Sequence, residues 1–130
     1  MLETVTLATL TPTPMLAVKD VARARRFYEE VLGLVPLANG MDDVLQFRAG
    51  ELVFVVYPSQ YAGTNRATAL TWTVGDQLED AVETLKAKGV TFEHYQLPDT
   101  VREGDIHVSG GIRNAWFKDP DGNIHALSNV

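Results

Sequence analysis

Residues 117–127 read Phe117-Lys118-Asp119-Pro120-Asp121-Gly122-Asn123-Ile124-His125-Ala126-Leu127 and place a tight turn between two apolar runs. Pro120 fixes a backbone φ that suits a turn, and the flanking aspartates can hydrogen-bond to their own backbone. Gly122 or Asn123 tolerates the left-handed conformation that such a turn requires. The stretch therefore predicts a hairpin whose second strand ends the protein.

Two amphipathic patterns precede this hairpin, and they share the same landmarks. Each pattern begins at an aspartate and ends at a glycine, over residues 20–33 and 76–89, so the two lie 56 positions apart. Apolar residues recur at intervals of three and four in both, which predicts two helices with a C-terminal glycine stop. Asp76 with Glu79 has the spacing of a capping box in the second helix.

The strand-like runs repeat in the same way around the two helices. A run ends at each aspartate, and further runs follow each helix, over residues 44–48 and 52–57 in the first half and 90–93, 114–117 and 124–127 in the second. We infer a duplicated unit of one strand, one helix and two or three strands. The first unit covers about residues 13–58 and the second about 68–128, with a polar linker at 59–67.

The composition restricts the class of protein. The 130 residues fit one compact domain, 1–130, with 45% hydrophobic residues and no cysteine, which excludes disulfides and thiolate metal sites. A net charge of −6 argues against nucleic acid as a partner and is compatible with a cationic ligand. An acidic start and the lack of a long apolar run lead us to expect a cytoplasmic protein that does not bind a membrane.

At this point the chain resembles the vicinal oxygen chelate superfamily, which includes glyoxalase I, extradiol dioxygenases, fosfomycin resistance enzymes and bleomycin resistance proteins. The resemblance spans about residues 13–128. It rests on Val18-Lys19-Asp20, the run Arg26-Phe27-Tyr28-Glu29-Glu30-Val31-Leu32-Gly33-Leu34, Val74-Gly75-Asp76, Leu85-Lys86-Ala87-Lys88-Gly89-Val90, and Arg113 ahead of the final turn. It implies an α+β fold of two tandem βαβββ modules, whose sheets curl around one cavity. It does not imply one activity, because the scaffold hosts several.

The family's chemistry uses a divalent metal held by His, Gln or Glu at four strand positions. Counted from the helix-capping aspartates and the final turn, these positions hold Thr13, Phe54, Ala69 and Ala126. None of these side chains is a good metal ligand, so we expect no metal and no cofactor. Alternation along the last strand predicts that His125, next to Ala126, points away from the cavity.

Strand alternation also predicts an apolar ligand pocket with a flat stacking surface at Trp116. The expected lining residues are Thr13, Met15, Gln46, Phe54, Ala69, Thr71, Asn114, Trp116 and Ala126, with Leu52 and Val56 extending the apolar wall. The expected mouth or lid residues are Tyr57, Tyr61, Tyr95 and His107, the last within a long covering segment at 97–110. The alternative is that the same side chains fill the space as core.

These residues favour a metal-free protein that binds a small organic ligand, aromatic or cationic, similar to the bleomycin resistance proteins. The resemblance also implies a homodimer. The alternative is an enzyme of glyoxalase or dioxygenase type, a lyase, isomerase or oxygenase with a relocated active site that uses residues such as His107, Tyr95 or Arg113. We expect Arg113 to have a structural role instead, by pairing with Asp119 or Asp121.

Overall fold

The structure is a computed structural model that describes residues 6–37 and 43–130. The strands are β1 Met15–Val18, β2 Val35–Leu37, β3 Leu45–Ala49, β4 Leu52–Pro58, β5 Thr68–Thr73, β6 Phe92–Glu93, β7 Val101–Glu103, β8 Ile106–Ser109, β9 Ile112–Lys118 and β10 Ile124–Ser128. The helices are α1 Val21–Arg26, which continues as a π-helical turn over Phe27–Val31, and α2 Leu78–Ala87. Short 3-10 turns cover Leu7–Thr9 and Gly75–Gln77.

Two mixed sheets repeat one topology and confirm the predicted fold class. The first sheet has the order β1-β4-β3-β2, and the second has the order β5-β10-β9-β8-β7, with β6 also paired to β9. In both sheets the first and last strands of the unit are parallel, and the remaining neighbours are antiparallel. The β7–β8 hairpin extends the second sheet and lies within the covering segment expected at 97–110.

The strand register shows how the two units align. In the first sheet Leu16 of β1 pairs with Val56 of β4, and at the equivalent place in the second sheet Trp72 of β5 pairs with Leu127 of β10. Likewise, Phe47 of β3 pairs with Phe54 of β4 in the first sheet, and Phe117 of β9 pairs with His125 of β10 in the second. Phe54 therefore corresponds to His125, and Val55 to Ala126. The sequence-based alignment of Phe54 with Ala126 was wrong by one residue, which in a strand moves a side chain to the opposite face.

The two helices begin differently despite their similar sequences. Asp20 caps α1 by accepting a hydrogen bond of 3.0 Å from the backbone N–H of Arg23. Asp76 instead lies inside the 3-10 turn, and Gln77 precedes α2 without a side-chain cap, so the expected capping box is absent. Gly33 and Gly89 have positive φ angles of 73° and 93°, as the glycine stops predicted.

Each sheet buries the face that carries its helix, and the two buried faces meet. The first core packs Tyr28 against Leu16, Phe47 and Phe54, and the second packs α2 against β9 and β10. Phe27 and Trp72 contact both cores. Among the described residues, no helix is long and apolar enough to cross a membrane.

A buried polar network joins the two units at the final turn. The Tyr28 hydroxyl donates to Asp119 Oδ2 at 2.7 Å and lies 3.0 Å from His125 Nε2. Trp72 Nε1 donates to His125 Nδ1 at 3.0 Å, so the imidazole proton resides on Nε2 and points to the Tyr28 oxygen. Burial lowers the pKa of His125 to about 4, which keeps the ring neutral. His125 thus faces away from Ala126, as alternation predicts.

The polar linker packs on the same turn. Gly63 has a φ of 83°, and a Cβ at this position would lie 2.9 Å from the backbone oxygen of Asp121. Only glycine allows this close approach. The turn itself is closed by Asp119 Oδ1, which accepts from the backbone N–H groups of Asp121 and Asn123. Linker and turn therefore form one fixed structure beside β10.

Candidate functional site

The open face of the second sheet, the side away from α2, carries the candidate site. Trp116 pairs with Ala126, and Ala126 pairs with Thr71, so these three side chains share this face. Asn114 lies two residues before Trp116 on β9 and pairs with His107 on β8. The structure thus brings four of the predicted pocket residues together with one predicted mouth residue.

Trp116 is held by two rings and a hydrogen bond. Its ring centroid lies 4.8 Å from that of His107 and 5.4 Å from that of Tyr95, both in edge-to-face geometry. The indole N–H donates to Thr68 Oγ1 at 3.2 Å. Because the N–H and the neighbouring rings fix the half-buried indole, its position is defined before any ligand arrives.

Three neighbouring depressions surround this cluster. The Trp116 cleft has a volume of about 380 Å³ and is lined by Arg66, Ala67, Thr68, Tyr95, Gln96, Leu97, Trp116 and Ile124. A recess of about 230 Å³ lies beside it, lined by Gly63, Asn65, Arg66, Tyr95, Lys118, Gly122 and Ile124. A third depression of about 450 Å³ is lined by His94, Tyr95, Gln96, Leu97, Thr100, Arg102 and His107. Tyr95 borders all three.

Ala69 departs from the predicted arrangement because of a β-bulge. The register between β5 and β10 shifts between Ile124 and His125, so that Thr68 pairs with Ile124 and Leu70 with His125. Ala69 is the extra residue and packs against the first core. Thr68 takes the place on the open face and binds Trp116. A bulge leaves no clear trace in the sequence, so Thr68 was not predicted.

Phe54 is also misplaced in the predicted pocket. Its side chain is fully buried on the helix-facing side, with ring centroids 5.9 Å from Tyr28 and 5.8 Å from Phe47. Val56, expected beside it on the pocket wall, packs in the same core, and Leu52 is exposed. The open face of the first sheet instead carries Val55, between its neighbours Met15 and Gln46. These residues do not border the Trp116 cleft.

The residues present do not fit the family's metal. With the corrected register, three of the four strand positions hold Thr13, Val55 and Ala126. At the fourth position the bulge residue Ala69 packs against the first core, and Thr68 beside it is on the open face. Among residues 6–37 and 43–130, no group of three or more His, Asp or Glu side chains is placed to hold an ion. A divalent metal needs several such ligands, and these positions do not supply them.

The predicted mouth residues separate into two groups. Tyr95 and His107 contact Trp116 and border the clefts. Tyr57 is half-buried on β4, and Tyr61 is 70% exposed in the linker, and neither borders the Trp116 cleft.

His107 has a structural role in this arrangement. The residue is 2% exposed, and its Nε2 accepts a 2.9 Å hydrogen bond from the backbone N–H of Tyr95. Burial lowers the pKa of His107, so the ring is neutral and carries its proton on Nδ1. With its lone pair occupied by Tyr95, this imidazole is not available as a general base.

Arg113 does not hold the final turn. Its guanidinium pairs with Glu79 at the start of α2, while Asp121 pairs with Arg23 of α1 at 3.1 Å. The prediction that Arg113 pairs with Asp119 or Asp121 was therefore wrong. Asp121 of the turn forms its ion pair with Arg23 of the first helix. Sequence spacing does not reveal this contact because the two residues are far apart in the chain.

A groove on the helix-bearing side was not predicted. It has a volume of about 560 Å³, runs beside α2 and has Trp72 and Leu127 on its walls. Its other lining residues are Leu32, Leu34, Thr73, Val74, Gln77, Asp80, Ala81, Thr84, Leu85 and Phe117. It is larger than the Trp116 cleft but lacks an orphaned polar group or an unpaired cation on its walls, so we do not take it as the site.

Comparison with known proteins agrees with this fold and these motifs. The family model of the Glyoxalase/Bleomycin resistance protein/Dioxygenase superfamily matches residues 10–127, and the chain belongs to this superfamily. Among solved structures, it is similar to a lactoylglutathione lyase from Agrobacterium tumefaciens, with a TM-score of 0.67, 16% identity and 92% of each chain covered.

Two further structures show the same fold. The fosfomycin resistance protein FosX from Mesorhizobium loti has a TM-score of 0.64 at 14% identity, with 100% of this chain and 94% of that chain covered. The hypothetical protein SA1046 from S. aureus has a TM-score of 0.67 at 20% identity, with 94% and 98% covered. A comparison with the sequences of curated proteins finds no match. At these identities the likeness shows the fold and not an activity.

Proposed function

We propose that this protein binds a planar organic molecule on the open face of its second sheet, at the Trp116 cleft, and does so without a metal. The observation that carries the proposal is the half-buried Trp116 ring, fixed between Tyr95 and His107 on the wall of a cleft of about 380 Å³. The family's metal positions hold Thr13, Val55, Ala69 and Ala126, which supports binding without a metal.

The size and lining of the cleft support a small ligand. Pockets for small molecules measure about 300–1,000 Å³ and combine apolar walls with a few polar groups. The Trp116 cleft has this character, because Leu97 and Ile124 are apolar while Thr68 and Arg66 are polar. A two-ring aromatic compound matches both the flat indole and the volume.

The fixed indole lowers the entropic cost of binding. Trp116 already makes its hydrogen bond to Thr68, and His107 is 2% exposed beneath it. A ligand that stacks on the ring does not have to immobilise it. Stacked aromatic pairs contribute about 0.5–1.5 kcal/mol beyond the burial of their area.

Calorimetric titration with 2-naphthamide, a neutral two-ring probe, tests this proposal. We expect saturable binding to the wild type, and an affinity about tenfold lower in Trp116→Leu, because the stacking surface is lost. Tyr61→Leu removes a 70% exposed aromatic ring that does not border the cleft, and it is the matched control, with unchanged affinity. Equal affinity of 2-naphthamide for the two variants contradicts the proposal, as does a wild type that binds no two-ring aromatic probe, neutral or charged.

We also propose that the chain forms a homodimer through the open face of its first sheet. On this face Met15 is 54% exposed and Val35 is 66% exposed, whereas the matching face of the second sheet buries Ala126 and His107. A second copy would cover these apolar side chains. Sedimentation velocity should show a dimer for the wild type and a monomer for Met15→Glu. A wild-type monomer at 100 μM, a concentration on the order of those at which weak dimers assemble, contradicts the proposal.

A further inference from the structure

We propose that the ligand of the Trp116 cleft is an anion, with its planar part on Trp116 and its negatively charged group in the recess between Arg66 and Lys118. The inference rests on the proposed function and adds the charge class of the ligand. It reverses the expectation of a cationic ligand that the acidic composition suggests.

The recess and the cleft are adjacent depressions. The recess of about 230 Å³ shares Arg66, Tyr95 and Ile124 with the cleft that contains Trp116. A ligand that covers the indole therefore lies beside the recess. Its far end meets Arg66 from the linker and Lys118 from the end of β9.

The charge of Arg66 is available to a ligand. Among the described residues, no carboxylate lies within ion-pair distance of its guanidinium, although Arg23 and Arg113 are paired. Lys118 is partly neutralised by Glu93 at 3.4 Å, so Arg66 supplies the larger uncompensated charge. A guanidinium presents two parallel N–H groups that match a carboxylate.

A buried hydroxyl in the same place lacks a partner. The Tyr95 hydroxyl is shielded from solvent and makes no hydrogen bond. Buried polar groups of this kind are rare, because each one costs free energy until it is paired. Desolvation raises the pKa of Tyr95, so the hydroxyl keeps its proton and can donate to an anionic oxygen.

The linker that carries Arg66 is held in position. Gly63 packs against the backbone of the final turn, and the Asn65 side chain bonds to both the N–H and the carbonyl of Ala67 at 3.1 Å. Arg66 lies between these two anchors. Its backbone is therefore positioned for the recess before a ligand binds.

The charged side chains that line the three depressions are cationic. No Asp or Glu is among the residues that line the recess, the Trp116 cleft or the third depression, whereas Arg66, Lys118 and Arg102 are. The chain as a whole has a net charge of −6. The basic lining thus contrasts with the rest of the molecule and provides local electrostatic complementarity for a carboxylate.

Three probes with the same ring system separate the contribution of charge from that of stacking. Calorimetry compares 2-naphthoate, neutral 2-naphthamide and cationic 2-naphthylmethylammonium at low salt. We expect 2-naphthoate to bind at least about tenfold more tightly than 2-naphthamide, since hydrogen bonds to charged groups are the stronger ones, and the ammonium compound to bind most weakly. The preference for 2-naphthoate should decrease as salt is added.

Arg66→Gln should reduce 2-naphthoate binding to the level of 2-naphthamide while leaving 2-naphthamide binding unchanged. Arg26→Gln on the exposed side of α1 removes the same charge far from the cleft and should change neither. Tyr95→Phe should weaken 2-naphthoate more than 2-naphthamide, because only the hydroxyl is lost.

The outcomes distinguish this inference from the proposed function. If 2-naphthamide or the ammonium probe binds at Trp116 as tightly as 2-naphthoate, the ligand is not an anion, and the binding function stands. If Arg66→Gln and Arg26→Gln weaken 2-naphthoate equally, the recess is not the anion site. If none of the three probes binds, the proposed function fails and this inference fails with it.

Discussion

Tyr28→Phe tests whether the buried network at the final turn holds the two units together. The change removes one hydroxyl from a fully buried ring and leaves the aromatic packing against Phe47 in place. The hydroxyl donates to the Asp119 carboxylate at 2.7 Å and accepts from His125 at 3.0 Å. Both partners lose a hydrogen bond in a site that water does not reach.

The expected cost follows from these two bonds. A hydrogen bond to a charged group contributes about 1.5–3 kcal/mol and a neutral one about 0.5–1.5 kcal/mol. Asp119 keeps its bonds from Asn123 and from the backbone of Asp121, which limits the loss on that side. We therefore expect Tyr28→Phe to lower the free energy of unfolding by about 2–4 kcal/mol.

Urea unfolding followed by tryptophan fluorescence measures this loss, with the slope of the transition checked for two-state behaviour. Tyr61→Phe is the control, because Tyr61 is 70% exposed, and its change should stay within about 0.5 kcal/mol. A loss below about 1 kcal/mol in Tyr28→Phe would refute the reasoning that the network stabilises the fold.

Three further predictions concern pH, the linker and the metal. The folded-state pKa of His125, about 4, lies below the usual value near 6.5, so the unfolded chain binds more protons between these values. Urea unfolding should therefore show that the free energy of unfolding falls by up to about 3 kcal/mol as the pH drops from 6.5 to 4. The lowered pKa of His107 adds to the same pH dependence, and His125→Gln should reduce that dependence. If the wild type and the variant lose stability equally over this range, the assignment to His125 is contradicted. Gly63→Ala should lower the free energy of unfolding by about 1–3 kcal/mol, because alanine is strained at the positive φ of this position and its Cβ would contact the backbone oxygen of Asp121. An unchanged stability would show that the linker is not held on the turn. Elemental analysis after incubation with Zn²⁺, Ni²⁺, Fe²⁺ and Mn²⁺ should find no stoichiometric metal, and one tightly bound equivalent would overturn the interpretation of Thr13, Val55, Ala69 and Ala126.

Local patterns in the sequence were sufficient to predict the duplicated architecture. The aspartate and glycine landmarks of the two helices and the final turn each depend on the chemistry of a few adjacent residues, and they predicted two helices in a duplicated unit of strands and helix. The arrangement of the strands in sheets followed from the resemblance to the superfamily. The position of Trp116 on the open face and that of His125 on the opposite, helix-facing side followed from alternation along regular strands.

Features that depend on pairing between distant strands were not predictable. The one-residue error at Phe54 arose because the turns before β4 and β10 differ in length, which only the hydrogen-bond register reveals. The bulge at Ala69, which places Thr68 on the open face, is likewise visible only in the pairing between β5 and β10. Arg66 was not predicted because its position in the recess depends on how Gly63 of the linker packs against the final turn. That packing is a tertiary contact.

The most direct test of the binding site uses the two tryptophans of the chain as internal probes. Trp116 borders the cleft, whereas the indole N–H of Trp72 bonds to buried His125. In ¹⁵N–¹H spectra of protein labelled at the indole nitrogens, titration with 2-naphthoate should move the Trp116 signal saturably and leave the Trp72 signal in place. If the Trp72 signal moves instead, or neither moves, the ligand does not bind at the Trp116 cleft and the central claim is wrong.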